Sequence, residues 1–380
     1  RQRQMCIRDR EIRSLGIETI AGVPDSALQP LCYYLNAGEC GFHHFVPANE
    51  GAAVGIAIGN YLSTGKPACV YMQNSGIGNI VNPVTSLANK AVYDIPILFV
   101  VGWRGEPGKK DEPQHRFMGE ITTGILDVLD IPNAILSAEM TEQEIKNIFK
   151  NAKEALSENK QFAIIVKRDA LEAGVKNAYQ NDYTLCREDA ISEIIKEVDA
   201  NDVIVSTTGK ISREVYEQCD KQLGHHKQAF LTVGGMGHAG MIAYGIAQNR
   251  TDKKVYCIEG DGAVLMHMGE LAFLAKQQPK NFIHICLNNE AHESVGGMPT
   301  GAVGIDFYKT ARECGYSYVA SVDNLEDLQK QLQYIAGIEG PVFLEVKVKI
   351  GARADLGRPK ESAVENKENF MKYHFPEVVD

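Results

Sequence analysis

Two residues of this 380-residue chain, Asp261 and Asn289, have types and surroundings suited to holding a metal ion. Asp261 sits between Gly260 and Gly262, directly after the apolar run 255–258, and Asn289 closes an Asn-Asn pair after the apolar run 282–287. A carboxylate oxygen and a neutral amide oxygen are hard donors, and the backbone carbonyl of Ala291 can supply a third. Mg²⁺ takes few protein oxygens and completes its shell with phosphate and water. Glycines beside Asp261 let phosphate oxygens approach the backbone, and a helix beginning there presents free N–H groups. The arrangement suggests a diphosphate held through a metal. A Gly-Asp-Gly turn or an Asn-Asn loop alone is ordinary punctuation.

The elements that must position these residues form one βαβ unit. Runs 255–258 and 282–287 read as buried strands. Between them Leu265, Met268, Leu271, Ala272 and Ala275 mark one face of a helix that Pro279 ends. Both polar clusters then fall at carboxyl ends of parallel strands, the edge where open α/β sheets bind ligands. Similar βα units run through both halves. The near-continuous run 95–102 predicts a central strand, and 141–157 predicts an amphipathic helix with a Thr141/Glu144 capping box. The fold class expected is α/β, two doubly wound parallel-sheet domains at 11–170 and 184–380, joined by a polar linker at 171–183. The tail after Gly351 reads as a charged surface wrap. Residues 1–10, with four arginines and no apolar period, read as a tag or artefact outside the fold.

Composition narrows the function. Hydrophobic content of 44% is that of a globular protein with real cores. A net charge of −10 argues against a nucleic-acid partner. No apolar run is long enough to span a bilayer and no signal peptide is visible, so no membrane partner is expected. Nine cysteines without a CxxC pair suit reduced thiols and a cytoplasmic setting.

Other positions invite two readings each. Asp25, in the turn Gly22-Val23-Pro24-Asp25-Ser26, is either a helix cap, as Ser26 also is, or an acid facing a pocket. Glu50, in the first turn of an Ala/Gly-rich helix, complements the helix dipole. The charged loop 103–116 holds the only Trp and reads as a lid or as solvated surface. Gly235-x-Gly237-x-x-Gly240, with Glu259 as the ribose acid, matches a dinucleotide fingerprint and supports a nicotinamide dehydrogenase as an alternative. That reading leaves Asp261 and Asn289 without a purpose. A non-catalytic scaffold that kept the fold is a second alternative.

From residue 11 onward the chain resembles the phosphonopyruvate decarboxylase family of thiamine-diphosphate-dependent decarboxylases. GVPDS at 22–26, NEGAAVG at 49–55, MQNSGIGN at 72–79, GWRGEPGKKDEPQH at 102–115, GGMGHAG at 234–240, GDG at 260–262 followed after 25 residues by NN, HESVGG at 292–297 and GARADLGRP at 351–359 carry the likeness. The resemblance implies a pyrimidine-binding domain followed by a diphosphate-binding domain, with no middle domain. It implies that Asp261, Asn289 and the Ala291 carbonyl bind Mg²⁺. Gly260, Gly262, Ala263, Gly235 and Thr207-Thr208-Gly209 would line the thiamine diphosphate, and Met236 would prop its bent shape. Glu50 becomes the acid that hydrogen-bonds the aminopyrimidine ring. Asp25, His115 and His292 become proton-transfer candidates. The substrate implied is a small anionic 2-oxo acid, phosphonopyruvate or alternatively sulfopyruvate or another 2-oxo acid. In an acidic protein, local cations must attract it, and Arg104, Lys109, Lys110, Arg116 and Arg353 are the candidates. Self-association is implied too, because the family shares its site between subunits.

Overall fold

Apolar runs bounded by Gly, Pro and Asn pair as two parallel sheets in the computed structural model, which describes residues 11–38, 40–172, 178–295 and 297–379. The first sheet takes β1 (Thr19–Gly22), β2 (His43–Phe45), β3 (Ala68–Gln73), β4 (Ile97–Gly102), β5 (Asn133–Leu136) and β6 (Phe162–Val166) in the order β2-β1-β3-β4-β6-β5. The second takes β7 (Val203–Ser206), β8 (Ala229–Leu231), β9 (Val255–Gly260) and β10 (Phe282–Asn288), then Tyr318–Val322 and Val342–Lys347. Its order is Tyr318–Val322, Val342–Lys347, β10, β9, β7, β8. Counted in chain order within each sheet, both read 2-1-3-4-6-5. The chain divides into two compact units, one running to Tyr179 with Ser294–Met298, the other Gln180–Glu293 with the remainder from Pro299.

Helices cover both faces of each sheet, so the central strands β4 and β10 are buried at every residue and show no polar alternation. Each unit closes its own apolar layers: Phe99, Met72 and Ile77 on one face of the first sheet, Tyr71, Leu98 and Phe149 on the other. Tyr256, Ile285 and Leu344 fill one face of the second sheet, and Phe282, Phe343 and Phe307 the other. Strand order reverses between β1 and β3, and again between β7 and β9. In open α/β sheets that reversal leaves a crevice at the carboxyl ends. The residues that follow β7 and β9 are Thr207-Thr208-Gly209 and Asp261, so the topology itself sets them side by side.

Several expectations need correction. The helix after β9 is two helices, Asp261–Met266 and Gly269–Gln277, with His267 off helical geometry between them. The loop 103–116 ends early, because helix Pro113–Val128 takes in His115 and Arg116; Pro113 at its first position suits a helix start. The tail is not merely a wrap. Helix Ala363–His374, opened by a Ser362/Glu365 capping box, inserts Phe370 into the core beside Phe230. The short strands β5 and Tyr318–Val322 lacked clear apolar signals. The Thr141/Glu144 capping box is present at the start of Glu142–Ser157. Residues 1–10, and part of the expected linker, 173–177, lie outside the described residues. Among the described residues no helix is long and apolar enough to cross a membrane, and the eight described cysteines are free thiols.

Candidate active site

In the second unit the edge formed by β7, β9 and β10 gathers the metal-type residues. Asp261 is the first residue of its helix and is 2% exposed. Its carboxylate accepts from the Thr300 hydroxyl at 2.5 Å and from the backbone N–H groups of Asn289, Asp261 and Gly262. The bond from the Asn289 N–H places the predicted donor pair in one cluster. Burial pushes the Asp261 carboxyl up to about 6, against those donors. The Asn289 side chain accepts from the Ala291 N–H at 3.1 Å, and Asn288 makes the same kind of turn to the Glu290 N–H at 3.0 Å. Glu290 takes a left-handed φ of 59°, which swings the chain from Asn289 to Ala291.

Phosphate-side features follow the same edge. A side chain on Gly262 would begin 3.0 Å from the Met236 methyl and 3.4 Å from the His292 ring, so Gly262, Met236 and His292 border one small space. Gly235 and Gly237 both have positive φ, 65° and 84°, as the turn into helix Ala239–Asn249 requires. Thr207 is tied by its N–H to Ile258 at 2.8 Å, Thr208 by its hydroxyl to Val233 at 2.8 Å, and Gly209 (φ 91°) starts helix Lys210–Leu223. Gly260 is half-buried and Ala263 is buried. Burial pushes the His292 imidazole down to about 4, so it is neutral at neutral pH.

Glu50 occupies the matching edge of the first unit. Helix Glu50–Thr64 is capped by Asn49, whose side chain accepts from the Ala52 N–H at 2.9 Å. Glu50 is therefore not needed as a cap. It is turned inward, 5% exposed, and accepts from the Asn79 amide at 2.6 Å. A side chain on Gly76 would lie 2.4 Å from its Oε1. Gly76→Ala should displace the Glu50 carboxylate from Asn79 and cut turnover by tenfold or more, about 1.4 kcal/mol of barrier. Steady-state rates beside thermal melts check it; an unaltered rate would mean that the carboxylate position is immaterial.

Asp25 is fully buried at the reversal point of the first sheet. It accepts from Gln73 at 2.6 Å and the Ala27 N–H at 2.9 Å, and a side chain on Gly102 would collide with it at 2.0 Å. It does not cap helix Gln29–Asn36, which has no side-chain cap, and neither does Ser26, whose hydroxyl accepts from Arg104. Burial pushes its carboxyl up. Arg104 grips Asp111 through two nitrogens at 2.8 and 2.5 Å and gives its third to Ser26 at 2.8 Å. Burial, helped by the Arg104 charge, pushes His115 down to about 4. The Arg104 charge thus acts on both Asp25 and His115. Lys109, Lys110 and Arg116 are exposed. Arg353 is taken up in the second unit by Glu188, Glu217 and Asp355, beside a cavity of about 630 Å³ rimmed also by Asp220 and Lys221. Four acids against two cations there do not suit an anion.

Sequence reasoning quoted Gln73, Gly76 and Asn79 within one motif, and Glu293 within another, without giving them roles, and it missed Thr300. The signal available for the first three was the run of small and amide residues after a central strand. The dinucleotide alternative loses its ribose acid: Glu259 is 2% exposed and its Oε2 lies 3.0 Å from the buried His284 Nε2.

The chain matches the family model of the thiamine pyrophosphate enzyme N-terminal TPP binding domain over residues 10–126, and that of the C-terminal TPP binding domain over 208–346. It is 32% identical to a phosphonopyruvate decarboxylase of Streptomyces viridochromogenes over 379 residues, covering 95% of this chain and 92% of that protein. It is 27% identical to a sulfopyruvate decarboxylase of Methanosarcina acetivorans over 361 residues, 90% of each. A sulfopyruvate decarboxylase subunit beta of Methanocaldococcus jannaschii is 31% identical over 194 residues, covering 51% of this chain and 96% of that subunit.

Proposed function

Because the chain belongs to the thiamine pyrophosphate enzymes, we propose that it decarboxylates 3-phosphonopyruvate to phosphonoacetaldehyde and CO₂, using thiamine diphosphate and Mg²⁺. The observation that carries the reading is the joining of Asp261 and Asn289 in one buried cluster at the carboxyl ends of β9 and β10, beside the reversal point of a parallel sheet. The residues fit the cofactor: a buried carboxylate and an amide oxygen are hard donors, their residues are joined by the Asn289 N–H bond to Asp261, and the space beside Gly262 is one that a Cβ would fill. Similarity along nearly the whole chain supports phosphonopyruvate as substrate, with sulfopyruvate second.

Asp261, Asn289 and the Ala291 carbonyl would hold Mg²⁺, and the turns at Thr207–Gly209 and Gly260–Ala263 would meet the diphosphate. When bound, thiamine diphosphate supplies the electron sink that lets a 2-oxo acid lose CO₂. Glu50, fixed by Asn79, would hold a proton for the aminopyrimidine end of the cofactor. Asp25 holds a proton more tightly than an exposed acid, because burial disfavours its anion, and so suits delivery to carbon. Arg104 positions Asp111 and Ser26 around it, and the exposed Lys109, Lys110 and Arg116 supply positive charge for the anionic head. His292 stays neutral beside Gly262, available as donor or acceptor. The domains at 11–170 and 184–380 bind the pyrimidine and diphosphate ends, and a complete site draws on two copies of the chain in a cytoplasmic homo-oligomer.

A side-by-side assay of CO₂ release from phosphonopyruvate, sulfopyruvate and pyruvate tests this. Phosphonopyruvate should give the highest kcat/KM. A preference for sulfopyruvate would transfer the reading to that substrate. No release from any of them, together with stabilisation by NAD rather than by thiamine diphosphate and Mg²⁺, would end it.

A further inference from the structure

Behind Asn289 lies a set of charges that the proposed mechanism does not use. Glu293 accepts from the Asn289 amide nitrogen at 3.1 Å. The same carboxylate receives Arg187 at 2.7 Å and Lys210 at 2.5 Å. Arg187 is in turn held by Glu214 through two bonds, at 2.7 and 2.9 Å. Arg187 is 4% exposed and Glu214 1%, so the pair is sealed in the second unit. Two acids and two bases balance to zero. Such a group is costly to bury unless its geometry is fixed, and breaking it is costly as well. It ties helices Arg187–Glu197 and Lys210–Leu223 to Glu293, four residues after Asn289 and bonded to its amide, which gives it a purpose beyond stability.

The purpose is legible in the Asn289 amide. Its oxygen accepts from the Ala291 N–H, and its nitrogen donates to Glu293. Turned over, the amide would set its nitrogen against an N–H donor and its oxygen against a carboxylate, both repulsive. Only one orientation is therefore populated, with a lone pair of Oδ1 left free. The backbone of Asn289 is fixed independently: its N–H donates to Asp261, and its carbonyl accepts from the Asn181 amide at 2.9 Å.

We propose that Glu293 is a positioning residue for the divalent cation: it locks the Asn289 amide oxygen toward the metal, and Arg187, braced by Glu214, locks Glu293. The inference rests on the reading of Asn289 as a ligand. Partners that orient a ligand are typically worth 10- to 100-fold in metal affinity. Lys210 neutralises the remaining carboxylate oxygen, so that Glu293 does not repel a diphosphate held after Thr207–Gly209.

The test measures Mn²⁺ binding by the loss of the free-ion paramagnetic resonance signal, with thiamine diphosphate present and no substrate. Wild type, Asn289→Ala, Glu293→Ala and Glu293→Gln are compared. Glu293→Ala should weaken Mn²⁺ binding about 10- to 100-fold. Glu293→Gln, which keeps an acceptor for the amide, should lie within about threefold of wild type on the scale of a neutral hydrogen bond. Should the Ala variant fail to fold, Glu293→Ser replaces it, too short to reach Asn289. Wild-type affinity in the deletion variant while Asn289→Ala loses the ion overturns the positioning role and leaves the ligand assignment standing. A Gln variant as weak as Ala also overturns it. Wild-type affinity in Asn289→Ala instead removes the ligand assignment itself.

Discussion

Glu50→Gln should lower turnover by at least about 10²-fold while leaving thiamine diphosphate affinity nearly unchanged, the scale expected when a positioned proton-transfer group is lost. The substitution keeps the shape, and the Gln carbonyl can still accept from Asn79, which lies 2.6 Å from the present carboxylate. Helix Glu50–Thr64 keeps its Asn49 cap, so the melting temperature should move little. What disappears is the capacity to exchange a proton at the cofactor ring. Single-turnover CO₂ release, beside a titration of cofactor into the variant, separates the two effects. Turnover within a few-fold of wild type would remove Glu50 from the chemistry.

Asp261→Asn should act in opposite directions on function and stability. Without its carboxylate the cluster loses the only formal charge among the proposed metal ligands, so Mg²⁺-dependent uptake of thiamine diphosphate should weaken by about 10²-fold or more, consistent with a lost buried charge contact. The sign for stability follows from the raised pKa. Folding favours the protonated form of Asp261, because its carboxyl moves from 3.8 up to about 6. In metal-free protein the benefit is present below about pH 3.8 and lost as pH rises through about 6, on the order of 3 kcal/mol in full. Asparagine cannot ionise. Metal-free Asp261→Asn should therefore melt higher than wild type above pH 6, with the gap closing near pH 4. Adding Mg²⁺ and cofactor should reverse the ranking. Melts across pH with and without metal check this; a variant less stable than metal-free wild type at pH 8 would contradict it.

Much of this arrangement was readable before any coordinates. Central strands buried on both faces announce themselves as near-continuous apolar runs, as 97–102 and 282–287 (broken only by His284) do, and the Gly-Asp-Gly and Asn-Asn clusters stand out because they follow the apolar runs 255–258 and 282–287. Two of the four edge strands, β5 and Tyr318–Val322, were not readable. In β5 (Asn133–Leu136) only Leu136 is buried, so packing leaves a weak mark on its sequence. Helix Ala363–His374 was hidden because its surface is charged and two of its three buried residues, Asn366 and His374, are polar, anchored by hydrogen bonds to the backbone of Ala229, Leu231 and Gln228 rather than by an apolar stripe. Long-range polar pairing was the least legible. Nothing near Glu50 in sequence predicts Asn79, and nothing near Asp261 predicts Thr300, 39 residues away. The same holds for Arg104: the loop suggested a free cation for substrate, but Asp111, seven residues on, holds two of its nitrogens.

The assignment of Ser294–Met298 to the first unit has a topological result. The polypeptide passes between the units three times, at 179–180, 293–294 and 298–299. Tyr71 holds Met298 there by its hydroxyl, 3.7 Å from the sulfur, while Thr300, two residues on, is bonded to Asp261. Severing the backbone at the first passage alone would not yield two self-contained pieces. The downstream fragment would carry off five residues that belong with its counterpart, and any bipartite version of this enzyme must either reunite them by complementation or begin its second gene product with that debt already resolved.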